Sequence, residues 1–425
     1  MGQANSILHA RAALLAPARK PAAASSSVQG AAIALALYED LAAIEREWRQ
    51  LEQDGDCTPF QSFAWLSAWQ RHVGALAGTR PAIIVGRRGS EVMFILPLAV
   101  ERGRLTRRLT FLGQDLCDYN APLLARDFSR VLGAEQFGAL WREALRLIQA
   151  RAALRHDMIV LEKMPRMLGM QSNPLLALEV RLHPSGAYET ALGADWEAFY
   201  HAKRSSATRR RDRTKLKKLG ELGAVRFVEL GDDEVAATLE VLIAQKSKAF
   251  ARMGVPNMFA RPGYPAFYGD LARHSRALVH LSRLDVGATW AAINLGLTFG
   301  DCYYHILASY DDGDVSRFGP GAAHLRELMR HAIGRGCKRF DFTVGDEPYK
   351  REWCETEQQL FDHSAAATWR GIPAAAGALA WGRLKRAIKH SALFWKLAQR
   401  ARAALGALRR PGATAPEVRE AREGE

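Results

Sequence analysis

Asp341, Asp346, Glu347, Tyr349 and Lys350 fall within ten consecutive residues. Together they offer a proton acceptor, a proton donor and a fixed positive charge. A carboxylate at a strand end can take the proton of an attacking amine or hydroxyl. Asp341 stands between Phe340 and Phe342, so strand alternation turns it away from two rings that should be buried. A structural aspartate accepting loop N–H groups fits the same pattern, and the residues leave both roles open. For Glu347 a salt-bridged loop cap fits better. Upstream, Ser316-Arg317-Phe318-Gly319-Pro320-Gly321 leads into a helix. Backbone N–H groups reach a bound anion only where side chains are absent, and a helix N-terminus favours negative charge. Arg317, Gly319, Gly321 and Ala322 are therefore the candidate anion-binding residues. His305 shares a strand face with Tyr303, opposite Tyr304 and Tyr310. It is the reserve candidate for a base, because a lone strand histidine is more often structural.

The elements that must position these groups follow from pattern. Leu325, Leu328, Met329, Ala332 and Ile333 recur at i, i+3, i+4, i+7 and i+8, one face of a 3.6-residue period. Gly334 and Gly336 should stop that helix. Residues 340–343 alternate as a half-buried strand. Before them the pattern predicts a helix over 196–219, a strand over 225–230, helices over 233–251 and 264–274, and a meander of three strands over 278–310. Residues 360–365 add a final strand to this second region. The first region reads alike, with strand 33–37, helices 40–52 and from Phe63, strands 82–87, 92–100 and 109–113, helix 134–153 and strand 158–161. Each region gives the order β-α-α-β-β-β-α-β, although no repeat is visible in the residues themselves.

Pro320-Gly321 ahead of the long helix, and a DF-x-x-G-D-x-x-YK-x-x-W run met by Asp341, Phe342, Gly345, Asp346, Tyr349, Lys350 and Trp353, resemble the signature of the CelD-like acyltransferases. That family belongs to the GNAT superfamily of acyl-CoA-dependent transferases and is related to the FemAB transferases. The resemblance spans roughly residues 60–362. It implies an α+β (mixed α/β) fold of tandem GNAT-like domains with a basic helical tail. It implies acyl-CoA, in the simplest case acetyl-CoA, as donor, with its pyrophosphate at Arg317, Gly319, Gly321 and Ala322. Asp341, Asp346, Tyr349 and Lys350 become the catalytic set, Tyr349 protonating the leaving thiolate. The acceptor would be a small molecule or saccharide, such as a sugar or envelope precursor in cellulose or exopolysaccharide biosynthesis. The family's usual Q/R-x-x-G-x-G/A loop is altered here: Ser316 holds the leading position, and Pro320 removes one N–H donor.

The resemblance and the composition divide the chain into an alanine-rich extension at 1–32, expected to be disordered, and a first GNAT-like domain at 33–183 without a catalytic role. An acyltransferase domain at 184–365 and a basic tail at 366–425 follow. Hydrophobic residues make up 48% and charged residues 24%, as in soluble globular proteins. The five cysteines are scattered with no C-x-x-C pair, so no metal site is expected and a reducing cytoplasm is. No apolar run approaches the roughly 18 residues of a membrane span. The net charge of +14 favours anionic partners. Its densest run, 203–218, lacks interleaved aromatics, which argues against sequence-specific nucleic-acid binding. The amphipathic 383–408 stretch could dock on its own domain or lie on the inner face of an anionic membrane. Two other functions stay open: aminoacyl transfer from charged tRNA in the FemAB manner, and a non-enzymatic accessory protein binding anionic polymer or membrane.

Overall fold

The computed structural model describes residues 32–390. Most of the alanine-rich extension and the part of the 383–408 stretch beyond residue 390 lie outside the described residues. Alternating apolar runs build two mixed sheets. The first runs in the order Ile33–Tyr38, Arg80–Arg88, Glu91–Arg102, Arg107–Phe111, Met158–Pro165, Leu360–Ala366, Val180–Leu182, with Leu123–Leu124 pairing on Glu91–Arg102. The second runs Val225–Glu229, Val279–Val286, Thr289–Phe299, Cys302–Tyr310, Arg339–Val344, Ala187–Ala191, Thr356–Gln358.

Three features correct the expected boundaries. Leu360–Ala366, expected in the second region, hydrogen-bonds instead between Met158–Pro165 and Val180–Leu182 of the first sheet. Ala187–Ala191, to which the pattern assigns no element, is an inner strand of the second sheet. The helix expected over 196–219 breaks in two, Trp196–Lys203 and Ser206–Leu222, where the Ser205 hydroxyl accepts the Thr208 N–H as an N-cap.

The duplication invisible in the residues is plain in the backbone. Each sheet contains one short parallel step. Arg107–Phe111 pairs with Met158–Pro165 through Arg108↔Met158 and Leu109↔Ile159. Cys302–Tyr310 pairs with Arg339–Val344 only through Cys302↔Arg339, Tyr303↔Phe340 and Tyr304↔Asp341. Each outgoing strand then carries a non-glycine residue at φ 59°, Lys163 in one and Thr343 in the other. Each lies at a bulge in its own strand, where the register shifts opposite Phe361/His363 and Tyr188/Glu189. Two residues before the left-handed position, the first unit has buried Leu161 and the second has Asp341.

The Pro320–Gly334 helix forms as its pattern dictates. Pro320 sits at the first helical position, where its missing N–H costs nothing. Leu325, Leu328, Met329 and Ala332 are buried, and Gly336 ends the last turn at φ 78°. These residues pack with Tyr303, Phe340, Phe342 and Trp353 on one face of the second sheet. The other face, with Tyr304 and Leu307, belongs to a core continuous with the first unit. Phe60 meets Tyr304 edge-on at 6.2 Å and Trp65 meets Phe267 at 5.0 Å. Among the described residues no helix is long and apolar enough to cross a membrane.

Candidate active site

Asp341 lies where the two parallel strands part, its pairing with Tyr304 being the last of the register. Its carboxylate accepts the Tyr119 hydroxyl, 2.8 Å from Oδ1 and 2.9 Å from Oδ2, and the Thr343 N–H at 2.7 Å. Thr343 itself adopts the left-handed conformation, turning the chain beyond it. Burial, with Glu189 beside it, pushes the Asp341 pKa up to about 7 against the pull of the Tyr119 and Thr343 hydrogen bonds. The group therefore exchanges protons near neutrality, as a general base should. Tyr119 comes from the first unit, in the Asp118-Tyr119-Asn120 turn, and burial beside Asp341 raises its own pKa well above normal.

Glu189, Cys302 and Asp341 each bring one ligand atom within 4.8 Å of the others. Arg339 already holds Glu189 at 3.1 Å and Tyr119 holds Asp341, so the trio reads as a hydrogen-bond network. On the opposite strand face His305 packs against Phe340 and Phe342. Burial, with the Lys350 and Lys246 charges nearby, pushes its pKa down to about 3, leaving a neutral ring of low basicity.

The loop after the strand does not converge on Asp341. Lys350, 3% exposed, donates to the carbonyls of Val344 at 3.0 Å and Thr343 at 3.3 Å and pairs with Glu347 at 3.0 Å. It clamps the left-handed turn. Gly345 adopts φ 137°, and a Cβ there would sit 2.9 Å from the Lys350 Nζ and displace the Lys350–Glu347 pair. Tyr349 lies at the rim, edge-on to Phe342 at 6.1 Å, its pKa raised by burial and by Glu347. Asp346 is half-buried in the same loop. Trp353 is core, stacked on Phe199 and Tyr200 beneath the Arg204 guanidinium.

At the helix start, Gly319 adopts φ 68°, ψ 56°, and no side chain caps the N-terminus. The Arg317 guanidinium lies over Phe318. The residue that pattern alone did not single out here is Lys215, whose Nζ is 3.8 Å from the place a Gly319 Cβ would take. The basic helix is held alongside by buried Asp212, which accepts Tyr200 at 2.7 Å and pairs with Arg326 at 3.5 Å. Uncapped N–H groups, a glycine and a nearby ammonium fit a pyrophosphate. Gly319→Ala is expected to cost about 1–2 kcal/mol through its left-handed backbone. Gly321→Ala, whose Cβ would meet only the Tyr310 ring at 3.4 Å, is expected to cost under about 0.5 kcal/mol. Urea titration of both variants measures the difference.

Two cavities lie elsewhere. One of about 360 Å³ is lined by Arg80, Arg102 and Arg107; one of about 340 Å³ is lined by Arg71, Asp270 and His274. Neither contains Asp341 or the helix start, so the site described here rests on hydrogen-bond geometry and strand divergence.

Residues 206–351 match the family model of the acetyltransferase (GNAT) domain. The chain is an acyltransferase. The reading as an inactive accessory protein is thereby set aside. No curated protein matches the sequence. Among solved structures, FemX is similar over 75% of this chain and 95% of its own, with a TM-score of 0.53 at 13% identity. The C-terminal domain of a putative lysylphosphatidylglycerol synthetase from Agrobacterium fabrum matches over 80% and 96%, with a TM-score of 0.49 at 9% identity. A tandem GNAT protein from the clavulanic acid biosynthesis pathway matches over 79% and 99%, with a TM-score of 0.43 at 15% identity. The likeness to FemX shows the fold, and the acyltransferase carries it as tandem GNAT-like units.

Proposed function

We propose that the chain transfers an acyl group, in the simplest case acetyl, from acyl-CoA to an amine or hydroxyl of a sugar, or of a cell-envelope or exopolysaccharide precursor. The observation that carries this reading is Asp341, a buried carboxylate poised near neutrality where the strands diverge. In this reading the N–H groups of Gly321 and Ala322 hold the donor's pyrophosphate, with Lys215 and Arg317 balancing its charge. The thioester enters the gap beyond Tyr304 and Asp341. Asp341 takes the acceptor's proton while Tyr119 fixes its carboxylate, and backbone N–H groups facing the gap stabilise the oxyanion. Tyr349 returns a proton to the thiolate, and Lys350 positions the turn. Asp346 is the alternative proton acceptor. Exposed Trp369, Ile372, Trp381 and Leu384, with Arg383 and Lys385 beside them, support peripheral contact with an anionic membrane as part of this reading.

Turnover of acetyl-CoA against a panel of amino sugars and nucleotide sugars, followed by mass spectrometry, tests the reading. Lys215→Glu is expected to raise the KM for acetyl-CoA about tenfold or more, since a charge-assisted contact is worth about 1.5–3 kcal/mol. An unchanged KM would move the pyrophosphate elsewhere.

A second reading, aminoacyl transfer from charged tRNA, is favoured by one observation. Arg210, Arg211, Arg213, Lys215, Lys217 and Lys218 are exposed on the helix that flanks Gly319. Weak RNA binding that disappears with added salt agrees with the acyl-CoA reading. Tight, salt-resistant retention of a charged tRNA would favour the second.

A further inference from the structure

We propose that Glu229, His280 and His331 form a binding site for a divalent transition metal, with zinc as the natural probe. Each offers one ligand atom within 4.8 Å of the other two. They come from three elements: the end of the Val225–Glu229 strand, the Val279–Val286 strand and the last turn of the Pro320–Gly334 helix. The imidazoles of His280 and His331 stack at 15° with centroids 4.3 Å apart, so the His331 ring must turn about its Cβ–Cγ bond to aim a lone pair at an ion held by His280. Glu229 lies 3.1 Å from His331 Nδ1. Two histidines with a carboxylate and an open position is a common zinc donor set.

The hydrogen bonds behind His280 dictate its tautomer. The Asn294 amide nitrogen donates to the Leu307 carbonyl at 3.0 Å, which leaves Asn294 Oδ1 facing Tyr303. That oxygen can only accept, so the Tyr303 hydroxyl donates to it at 2.8 Å. The Tyr303 oxygen must in turn accept from His280 Nδ1–H, 2.8 Å away. His280 Nε2 is left as a lone pair, buried and with no hydrogen-bond partner. A buried acceptor without a donor costs stability unless something coordinates it. Metal-binding histidines are oriented in the same way, with the far nitrogen donating to a fixed acceptor.

Two cations, Arg276 and Arg335, stand near His280, and the field opposing them is negative. Helix carbonyls end here, and the helix dipole places its negative end at His331. Arg276 is tied to the Leu230 carbonyl and to Asp232. From Gly321 to His331 the helix rises about 15 Å, so this metal would not touch the transferred group. It would pin the two outer strands to the far end of the helix whose beginning forms the anion loop. The inference is independent of the proposed reaction.

Untagged full-length protein, loaded with zinc chloride and dialysed against a weak chelator, tests it by metal analysis and by melting temperature. The parent is expected to retain one zinc per chain and to melt at a higher temperature with zinc than without. Glu229→Gln, at an exposed position, and His331→Ala should lose that zinc and that shift. Tyr303→Phe, which removes the acceptor for His280 Nδ1–H, should weaken zinc about 10–100-fold. Acetyl-CoA affinity should be unchanged in Glu229→Gln. A parent that retains no stoichiometric zinc overturns the proposal, and so does equal retention by Glu229→Gln and His331→Ala.

Discussion

Asp341→Asn is expected to lower turnover by about 10²–10⁴-fold, the usual loss when a general base is removed, while the melting temperature moves little. Asparagine keeps the size of the side chain, can still accept the Thr343 N–H, and can present its amide to the Tyr119 oxygen. The pH profile carries the same signature. Because the Asp341 pKa is raised to about 7, the ionised base is depleted below that pH. Turnover per substrate encounter in the parent should therefore fall about tenfold per pH unit on acidification and level off above pH 7. Tyr119→Phe deletes a hydrogen bond that lowers this pKa, so its limb should shift to higher pH. Full activity in Asp341→Asn would pass the role to Asp346, tested as Asp346→Asn in the same assay. Loss of activity together with a collapsed melting temperature would make Asp341 a structural group.

Trp353→Ala is expected to destabilise the protein by about 3–5 kcal/mol, the range for emptying a large buried aromatic site. Trp353 is 4% exposed and stacks on Phe199 at 6.2 Å and Tyr200 at 6.3 Å, with Arg204 4.8 Å above the ring. Removing it leaves a cavity between the Trp196–Lys203 helix and the turn that carries Tyr349 and Lys350. Urea unfolding should show the midpoint falling sharply for Trp353→Ala and much less for Trp353→Phe. A variant with parental stability but no turnover would place the indole in catalysis instead.

The parts of the site that lie within one element were legible from the residues. The face of the Pro320–Gly334 helix followed from its 3.6-residue spacing, and the strand at Arg339–Val344 from alternation. What pattern could not supply was partnership between distant segments. Tyr119 reaches Asp341 across 222 positions, and nothing in a three-residue polar turn announces that contact. Periodicity identified Leu360–Ala366 as a strand but is silent on which sheet it enters, because an apolar face suits either. Ala187–Ala191 is too short and mixed to stand out, and is a strand only because neighbours on both sides complete its hydrogen bonds. Lys350 was grouped with the chemistry by its neighbours in sequence, whereas its burial and its carbonyl partners make it the fastener of the turn. Glu229, His280 and His331 stand fifty-one residues apart from one to the next, a spacing with no local metal signature.

The passage of Leu360–Ala366 back into the first sheet has a bearing on how such a chain can be inherited. A gene segment ending at residue 358 would encode the whole second sheet but strip the first of an inner strand, exposing the edges of Met158–Pro165 and Val180–Leu182. Neither half could be lost, duplicated or fused to a new partner without orphaning part of the other. With its closing strand crossed over, the pair of units forms a single heritable piece. Its first half, though it has leucine where the second has the aspartate, supplies Tyr119 and half of a common core.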